Sequence, residues 1–249
     1  MPACSPTKMT ARPPEEIEFQ RVGPIAQVRL NRPTKLNAIT DRMERALLAV
    51  WGEIDADDDI RCVVLSGNGE RAFCVGADIS GEHGGTGIAF GGGLTGIGGP
   101  LIELRKPLVA AVHGYCLGGG FELAMCADVI VAADDTVFGL PETSIGVIDH
   151  CGVVHRAVRR LPHSIAMGMI LAGQRLSATE GARYGLVNGV VSTTGLLDEA
   201  KRWATRISEC SPGATMAAKA AVLRGLEMSL PAALSSRYPQ IDAFNTGAR

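Results

Sequence analysis

Three short apolar runs constrain this chain more than anything else in it: CVVLSG (Cys62 to Gly67), PLVAAVHG (Pro107 to Gly114) and DVIVAA (Asp128 to Ala133). The first two are bounded by glycine, and all three lack the alternation of a half-exposed strand, so they read as strands buried on both faces. Between the second and third lies FELAMCA, which reads as a buried helix carrying one carboxylate. Strand, helix and strand in that order predict a parallel α/β architecture. The length of 249 residues allows one large domain or two small ones, and 46% hydrophobic with 20% charged residues is ordinary for a globular protein.

The stretch GYCLGGGFELAMCAD (Gly114 to Asp128) runs three glycines straight into that helix. Glycine costs about 1 kcal/mol against alanine inside a helix, so the run needs a reason. One reading is a flexible turn. The other is a backbone that passes so close to a ligand that no Cβ fits, with helix N-terminal N–H groups aimed at developing negative charge. A dinucleotide fingerprint is disfavoured, because GxGxxG belongs just after a first strand with an acidic residue about 20 positions on, and CLGGGFE has neither the order nor the place.

A second loop, GNGERAFCVGADIS (Gly67 to Ser80), directly follows CVVLSG. Its Val75-Gly76-Ala77 turn is expected at that strand's C-terminal end, where α/β proteins bind ligands. If PLVAAVHG runs parallel, it delivers the GGG turn to the same end. Two turns then each offer one backbone N–H to a single oxygen.

Around these elements, EIEFQRVGPIAQVRLNRP predicts a hairpin about Gly23-Pro24. From Thr40, an N-cap, apolar residues at Met43, Leu47, Val50, Trp51 and Ile54 predict a helix. The run ADDD (Ala56 to Asp59) reads as a solvated loop rather than a metal site. After about residue 152 the pattern turns helical, with a capping box at Ser177 to Glu180, a short strand in VNGVV, and amphipathic helices in LLDEAKRWATRI and from Pro212 to Leu226. There is no internal repeat.

A net charge of −2 supplies no basic field for nucleic acid or an anionic membrane. Seven scattered cysteines without a CxxC pair read as packed, reduced thiols rather than a disulfide framework or zinc site. The N-terminal MPACSPTKMTARPPEE lacks the apolar core of a secretory signal, and the uncharged run Gly84 to Ile102, with nine glycines among nineteen residues, reads as a loop rather than a membrane span. A cytoplasmic protein is expected.

With these residues in view, the sequence resembles the enoyl-CoA hydratase/isomerase (crotonase) superfamily. The segments that carry the resemblance are NRPTKLNAI (Asn31 to Ile39), VVLSGNGERAFCVGADI (Val63 to Ile79), KPLVAAVHGYCLGGGFELAMCADVIVAADDTVFGLPETSIGV (Lys106 to Val147) and LAGQRLSATEGARYGLVNGVV (Leu171 to Val191). The resemblance covers roughly residues 15 to 230 and implies an α/β crotonase (ClpP-like) fold of stacked ββα turns with a helical C-terminal trimerisation region. It divides the chain into a tail at 1–14, a core at 15–191 and a helical region at 192–249 that is shorter than is usual in the family.

The same resemblance implies that the N–H groups of Ala77 and Gly119 form an oxyanion hole for an acyl-CoA thioester oxygen. It places Glu122 and Glu142 on the reacting carbons, and lines the CoA moiety with Leu36, Asn37 and Ala38 and with Ala77, Asp78 and Ile79. For Asp78 a structural turn carboxylate is the favoured reading. Lys35 matches a place near a CoA phosphate, although a surface lysine is the easier reading. A lone glutamate on a helix is usually solvated surface, but the neighbours of Glu122 look buried, and a buried carboxylate is neutral, paired or functional.

The implied activity is hydration of a 2-enoyl-CoA with no metal or redox cofactor, coenzyme A being part of the substrate, in a homotrimer or hexamer. Isomerisation of an enoyl-CoA, a carnitinyl-CoA dehydratase-like reaction and non-catalytic acyl-CoA binding are the alternatives. The segment IDHCGVVHRAVRRLP (Ile148 to Pro162) departs from the Pro-Gly and Gly-Gly-Thr turn of many relatives and brings His150 and His155 close in sequence to Glu142; both read as helix-start or surface histidines. The loop Gly81 to Gly99, with ten glycines in nineteen residues, is expected to be poorly ordered, and the chain's ending suggests a reduced lid over CoA.

Overall fold

The structure is a computed structural model that describes residues 16–80, 95–98, 102–148 and 152–247. The expected tail at 1–14, most of the glycine-rich loop and His150 lie outside those residues.

The chain opens with the antiparallel hairpin of β1 (Ile17–Val22) and β2 (Ile25–Leu30), turning at Gly23-Pro24. Helix α1 (Asp41–Ala56) follows, and Thr40 caps it by accepting the Met43 N–H. Met43, Leu47, Trp51 and Ile54 form its buried stripe, all fully inaccessible, and each such side chain removed from water contributes roughly 1.5–3 kcal/mol. The Trp51 indole N–H also reaches Thr95 Oγ1 at 3.2 Å.

The apolar runs form β3 (Cys62–Gly67), β5 (Leu108–Val112) and β7 (Val129–Ala133). Each is followed by a short strand that belongs to a second sheet: β4 (Ala72–Cys74), β6 (Tyr115–Leu117) and β8 (Val137–Gly139). The chain thus steps three times from one sheet to the other. Helix α2 (Gly119–Met125) follows β6, and α3 (Val153–Arg160) and α4 (His163–Ala172) follow β8. Then come β9 (Leu176–Ser177), α5 (Ala178–Arg183) with the expected Ser177–Glu180 capping box, β10 (Gly189–Val191) and α6 (Leu196–Ser208).

The larger sheet has the order β1-β2-β3-β5-β7-β10, parallel from β2 onward, and the smaller one the order β4-β6-β8-β9. The lack of alternation in β3, β5 and β7 has a direct cause. Val63, Leu65, Ala110, Val112, Ile130 and Ala132 face the main core, which also holds Trp51, Phe73, Phe121 and Phe138. Their alternate neighbours Cys62, Val64, Val109, Ala111 and Val131 face Leu196, Ala200 and Ala204 of α6. With apolar cover on both sides, nearly every position of these strands is apolar, Ser66 near the end of β3 being the polar exception.

The chain ends in α7 (Pro212–Gly225), α8 (Leu230–Ser235) and α9 (Pro239–Thr246). Lys219 of α7 ties this region to the core, donating to Asp128 Oδ2 at 2.7 Å and to the Lys106 carbonyl at 2.9 Å. This region exposes several large apolar side chains: Val222, Leu226, Leu230, Leu234 and Phe244. No helix among the described residues is long and apolar enough to cross a membrane.

Candidate active site

Strands β4 and β6 are parallel neighbours with Cys74 opposite Cys116, so the turns that leave them, Val75-Gly76-Ala77 and Gly118-Gly119, emerge side by side. The sequence placed these turns at the ends of the long buried strands. The structure corrects this: the chain first crosses to the smaller sheet, and the turns leave β4 and β6. The approach is close. A Cβ on Gly76 would lie 3.0 Å from the Gly119 backbone nitrogen, and one on Gly120 would collide with the Cys74 carbonyl. Gly118 has φ +53°, and a Cβ there would stand 2.6 Å from Glu142 Oε1. Gly118 and Gly120 thus form a turn packed so closely against Glu142 and the Cys74 backbone that no Cβ fits.

The Ala77 segment is fixed from outside by Ile39, which donates to the Gly76 carbonyl and accepts from the Asp78 N–H, both at 2.8 Å. Those bonds leave the Ala77 N–H pointing elsewhere. Gly119 opens α2, where its N–H has no intrahelical partner, and among the described residues no acceptor takes either N–H. Two donors on adjacent turns are thus available to one oxygen.

Both glutamates come to this place. Glu122 lies one helical turn past Gly118 and is completely buried, with Arg156 Nε 3.3 Å from its Oε1. Glu142 starts the short 3₁₀ turn Glu142–Ile145 after β8, and its carboxylate rests against Gly118 from the other side. One carboxylate is sealed in the core, whereas the other sits at a partly open rim.

The two CoA-lining candidates are joined by an arginine. Arg32 donates from Nη1 to the Ala38 carbonyl at 2.7 Å and to Asp78 Oδ2 at 2.9 Å, which clasps the 36–38 and 77–79 segments together. Asp78 Oδ1 also accepts from the Ser80 hydroxyl at 2.6 Å and the Ser80 N–H at 3.0 Å. These bonds, the Ser80 hydroxyl first among them, lower its carboxyl to about 2. Asp78 therefore does the work of a structural turn carboxylate. The Asn37 side chain is wholly interior, bonded to the carbonyls of Asn68 and Ala72 and to the Arg32 N–H, so it ties its segment to the core. Leu36 takes a left-handed turn at φ 53°, Ala38 is buried, and Lys35 and Ile79 are exposed. His155 stands near the start of α3 and is exposed.

Sequence reasoning did not single out Arg156 or Arg32. The signal for the first was available in the question of what balances a buried Glu122. Among the described residues no group of three or more His, Cys, Asp or Glu side chains is placed to hold a metal ion, and the ADDD loop instead binds Arg21 through Asp57 and Asp59.

Comparison with known proteins gives the following. The family described as enoyl-CoA hydratase/isomerase matches residues 20–245. A carnitinyl-CoA dehydratase of Proteus mirabilis is 37% identical over 211 residues, spanning 84% of this chain and 80% of that protein. The crystal structure of a proposed short chain enoyl-CoA hydratase from Novosphingobium aromaticivorans superposes with a TM-score of 0.84 at 52% identity, over 92% of this chain and 89% of the other. An enoyl-CoA hydratase structure from Mycobacterium tuberculosis gives 0.83 at 32% identity, over 91% and 88%.

Proposed function

The chain belongs to the enoyl-CoA hydratase/isomerase family and is an enzyme of that type, and from that premise we propose that it catalyses reversible syn addition of water to a 2-enoyl-CoA thioester. The observation that carries this reading is the pair of unengaged N–H groups, Ala77 and Gly119, on turns flanked by Glu122 and Glu142. As the water oxygen bonds to C3, electron density moves from the C2–C3 double bond onto the thioester oxygen. The two N–H groups stabilise that enolate-like oxygen, and one such donor is typically worth about 3 kcal/mol of barrier. Glu122 holds the water and takes its proton; Glu142 also holds the water and exchanges the proton at C2. Leu36 to Ala38 and Ala77 to Ile79 line the CoA, with Lys35 near a phosphate. The chemistry calls for no metal or redox cofactor, since coenzyme A enters as part of the substrate.

A second reading, carnitinyl-CoA dehydration, is supported by the Proteus relative's likeness over most of its length. We also propose a cytoplasmic protein that assembles as a homotrimer or hexamer, the assembly supported by the exposed Leu223, Leu226, Leu230, Leu234 and Phe244 of the last helical region. The test is loss of conjugated-thioester absorbance on mixing the protein with crotonyl-CoA and then with a longer and a trimethylammonium-bearing enoyl-CoA. Loss that depends on both glutamates supports hydration and ranks the acyl groups; CoA-ester binding with no turnover on any of them overturns it in favour of a non-catalytic binder.

A further inference from the structure

A carboxylate with no exposure is expected to take up a proton unless a positive charge stands beside it. Glu122 has no exposure, and the Arg156 guanidinium stands beside it, with Nε 3.3 Å from Oε1. Arg156 is itself held in place. Its Nη2 donates to the Gly98 carbonyl at 2.9 Å, and the guanidinium lies against the Gly98 backbone so closely that a Cβ there would stand 3.0 Å from Nη2 and 3.1 Å from Nη1. On the opposite side, Gly152 at the start of α3 presses on the carboxylate, where a Cβ would stand 3.1 Å from Glu122 Oε1. The pair is boxed between two glycines.

The segment that supplies the Gly98 carbonyl is anchored too. Thr95 is fully buried against the Trp51 indole, Ile97 is buried with its carbonyl 3.7 Å from Cys126 Sγ, and the Gly98 N–H donates to Ile102 at 3.0 Å. Arg156 therefore connects α2, α3 and the 95–98 segment at one atom group.

We propose that Arg156 is the positioning residue that keeps Glu122 ionised and in one orientation, with the Gly98 carbonyl fixing the guanidinium. The proposal rests on the assignment of Glu122 as the base. A base must be an anion when the water arrives, and burial alone would make this one neutral. The other charged or titratable groups around Glu122 among the described residues are Glu142 across Gly118, Arg160 on α3, and the thiols of Cys74, Cys116 and Cys126. Arg160 donates to the Ala127 carbonyl, at 2.6 Å. Burial pushes Cys74 up to about 12, Cys126 up to about 11 and Cys116 well above its ordinary value, so the thiols stay neutral over the working range. His155 and Arg159 lie on the exposed side of α3. Glu142 disfavours a second negative charge nearby, and of the two arginines it is Arg156 whose guanidinium contacts the Glu122 carboxylate, while Arg160 is turned to the Ala127 carbonyl.

The experiment uses the full chain as wild type, Arg156→Gln, Arg156→Lys and Glu122→Gln. Arg156→Met, whose apolar stem fills similar space, replaces the Gln variant if that one does not fold. Turnover on crotonyl-CoA is followed against pH, and the Glu122 carboxyl resonance, assigned by its disappearance in Glu122→Gln, is followed by carbon NMR of carboxyl-labelled glutamate. In Arg156→Gln the acid limb of kcat and the Glu122 titration are expected to move up together by about one unit or more, with KM little changed, because loss of a nearby opposite charge has that size of effect. Arg156→Lys should bring both back toward wild type. An unmoved limb and an unmoved resonance in the neutral variant would overturn the proposal. Absence of turnover in the wild type would sink the hydratase reading instead, and the resonance alone would still decide whether Arg156 holds the Glu122 charge.

Discussion

Trp51, Phe73, Phe121 and Phe138 in the two-sheet core are 0% exposed, whereas Leu226, Leu230 and Leu234 in the last helices are 75%, 71% and 79% exposed. The residue chemistry is the same in both regions; what differs is whether the chain supplies the other half of the packing. The core closes on itself: β3, β5 and β7 have apolar cover on both faces, and α2 is buried along its whole length. In α8 and α9 no residue is buried, and in α7 Ala217 is the one that is. The core thus completes its packing within one chain, whereas the final helices leave large apolar side chains exposed.

The sharpest test of that contrast lies at the site. Glu122→Gln and Glu142→Gln should each lower turnover by about 10²–10⁴, as measured by thioester absorbance, with the melting transition little changed. A core that lost its cooperative melt on either change would not be self-sufficient. Next in size, Trp51→Ala should cost about 3–5 kcal/mol in urea unfolding, through the cavity and the lost Thr95 bond. Leu234→Ser belongs at the other end: it should change core stability by about 0.5 kcal/mol or less while reducing self-association in light scattering. If it were as damaging as Trp51→Ala, the contrast between the regions would collapse.

Between those extremes stands a pH effect. Burial holds the His113 imidazole below its ordinary range. Its folded-state pKa is therefore lower than its unfolded value, and the unfolded chain takes the proton first as the pH falls. Stability should be complete above about pH 6.5 and decline as the pH drops through that value toward the folded pKa. Urea midpoints at about pH 8 and pH 5.5 check this, and His113→Gln should flatten the dependence.

The sequence made the core legible because its signals are local. The hairpin turn at Gly23-Pro24, the Thr40 cap and the unalternating β3, β5 and β7 each carry their own reason for their conformation. The placement of Ala77 beside Gly119 was legible as an idea, but its route was not. Strands of three residues such as β4 and β6 are too brief to show a period, so the crossing to the second sheet left no pattern to read. Asn37 illustrates another limit. Its position in a ligand-lining motif was visible, but its interior bonds to Asn68 and Ala72 depend on residues more than thirty positions away. The Arg156 to Glu122 pair is equally non-local, its members 34 positions apart.

The difference between the two glutamates' settings bears on how such an enzyme can be altered. Glu122 belongs to a helix in which every residue is enclosed, so any change of size there disturbs neighbours on all sides. Glu142 begins a rim that continues through Ile145, Val147 and Ile148, which are 57%, 47% and 73% exposed. Substitution on that rim asks little of the fold. Ile145, Val147 and Ile148 can therefore change with little cost to the fold, whereas a change of size at Glu122 cannot be absorbed.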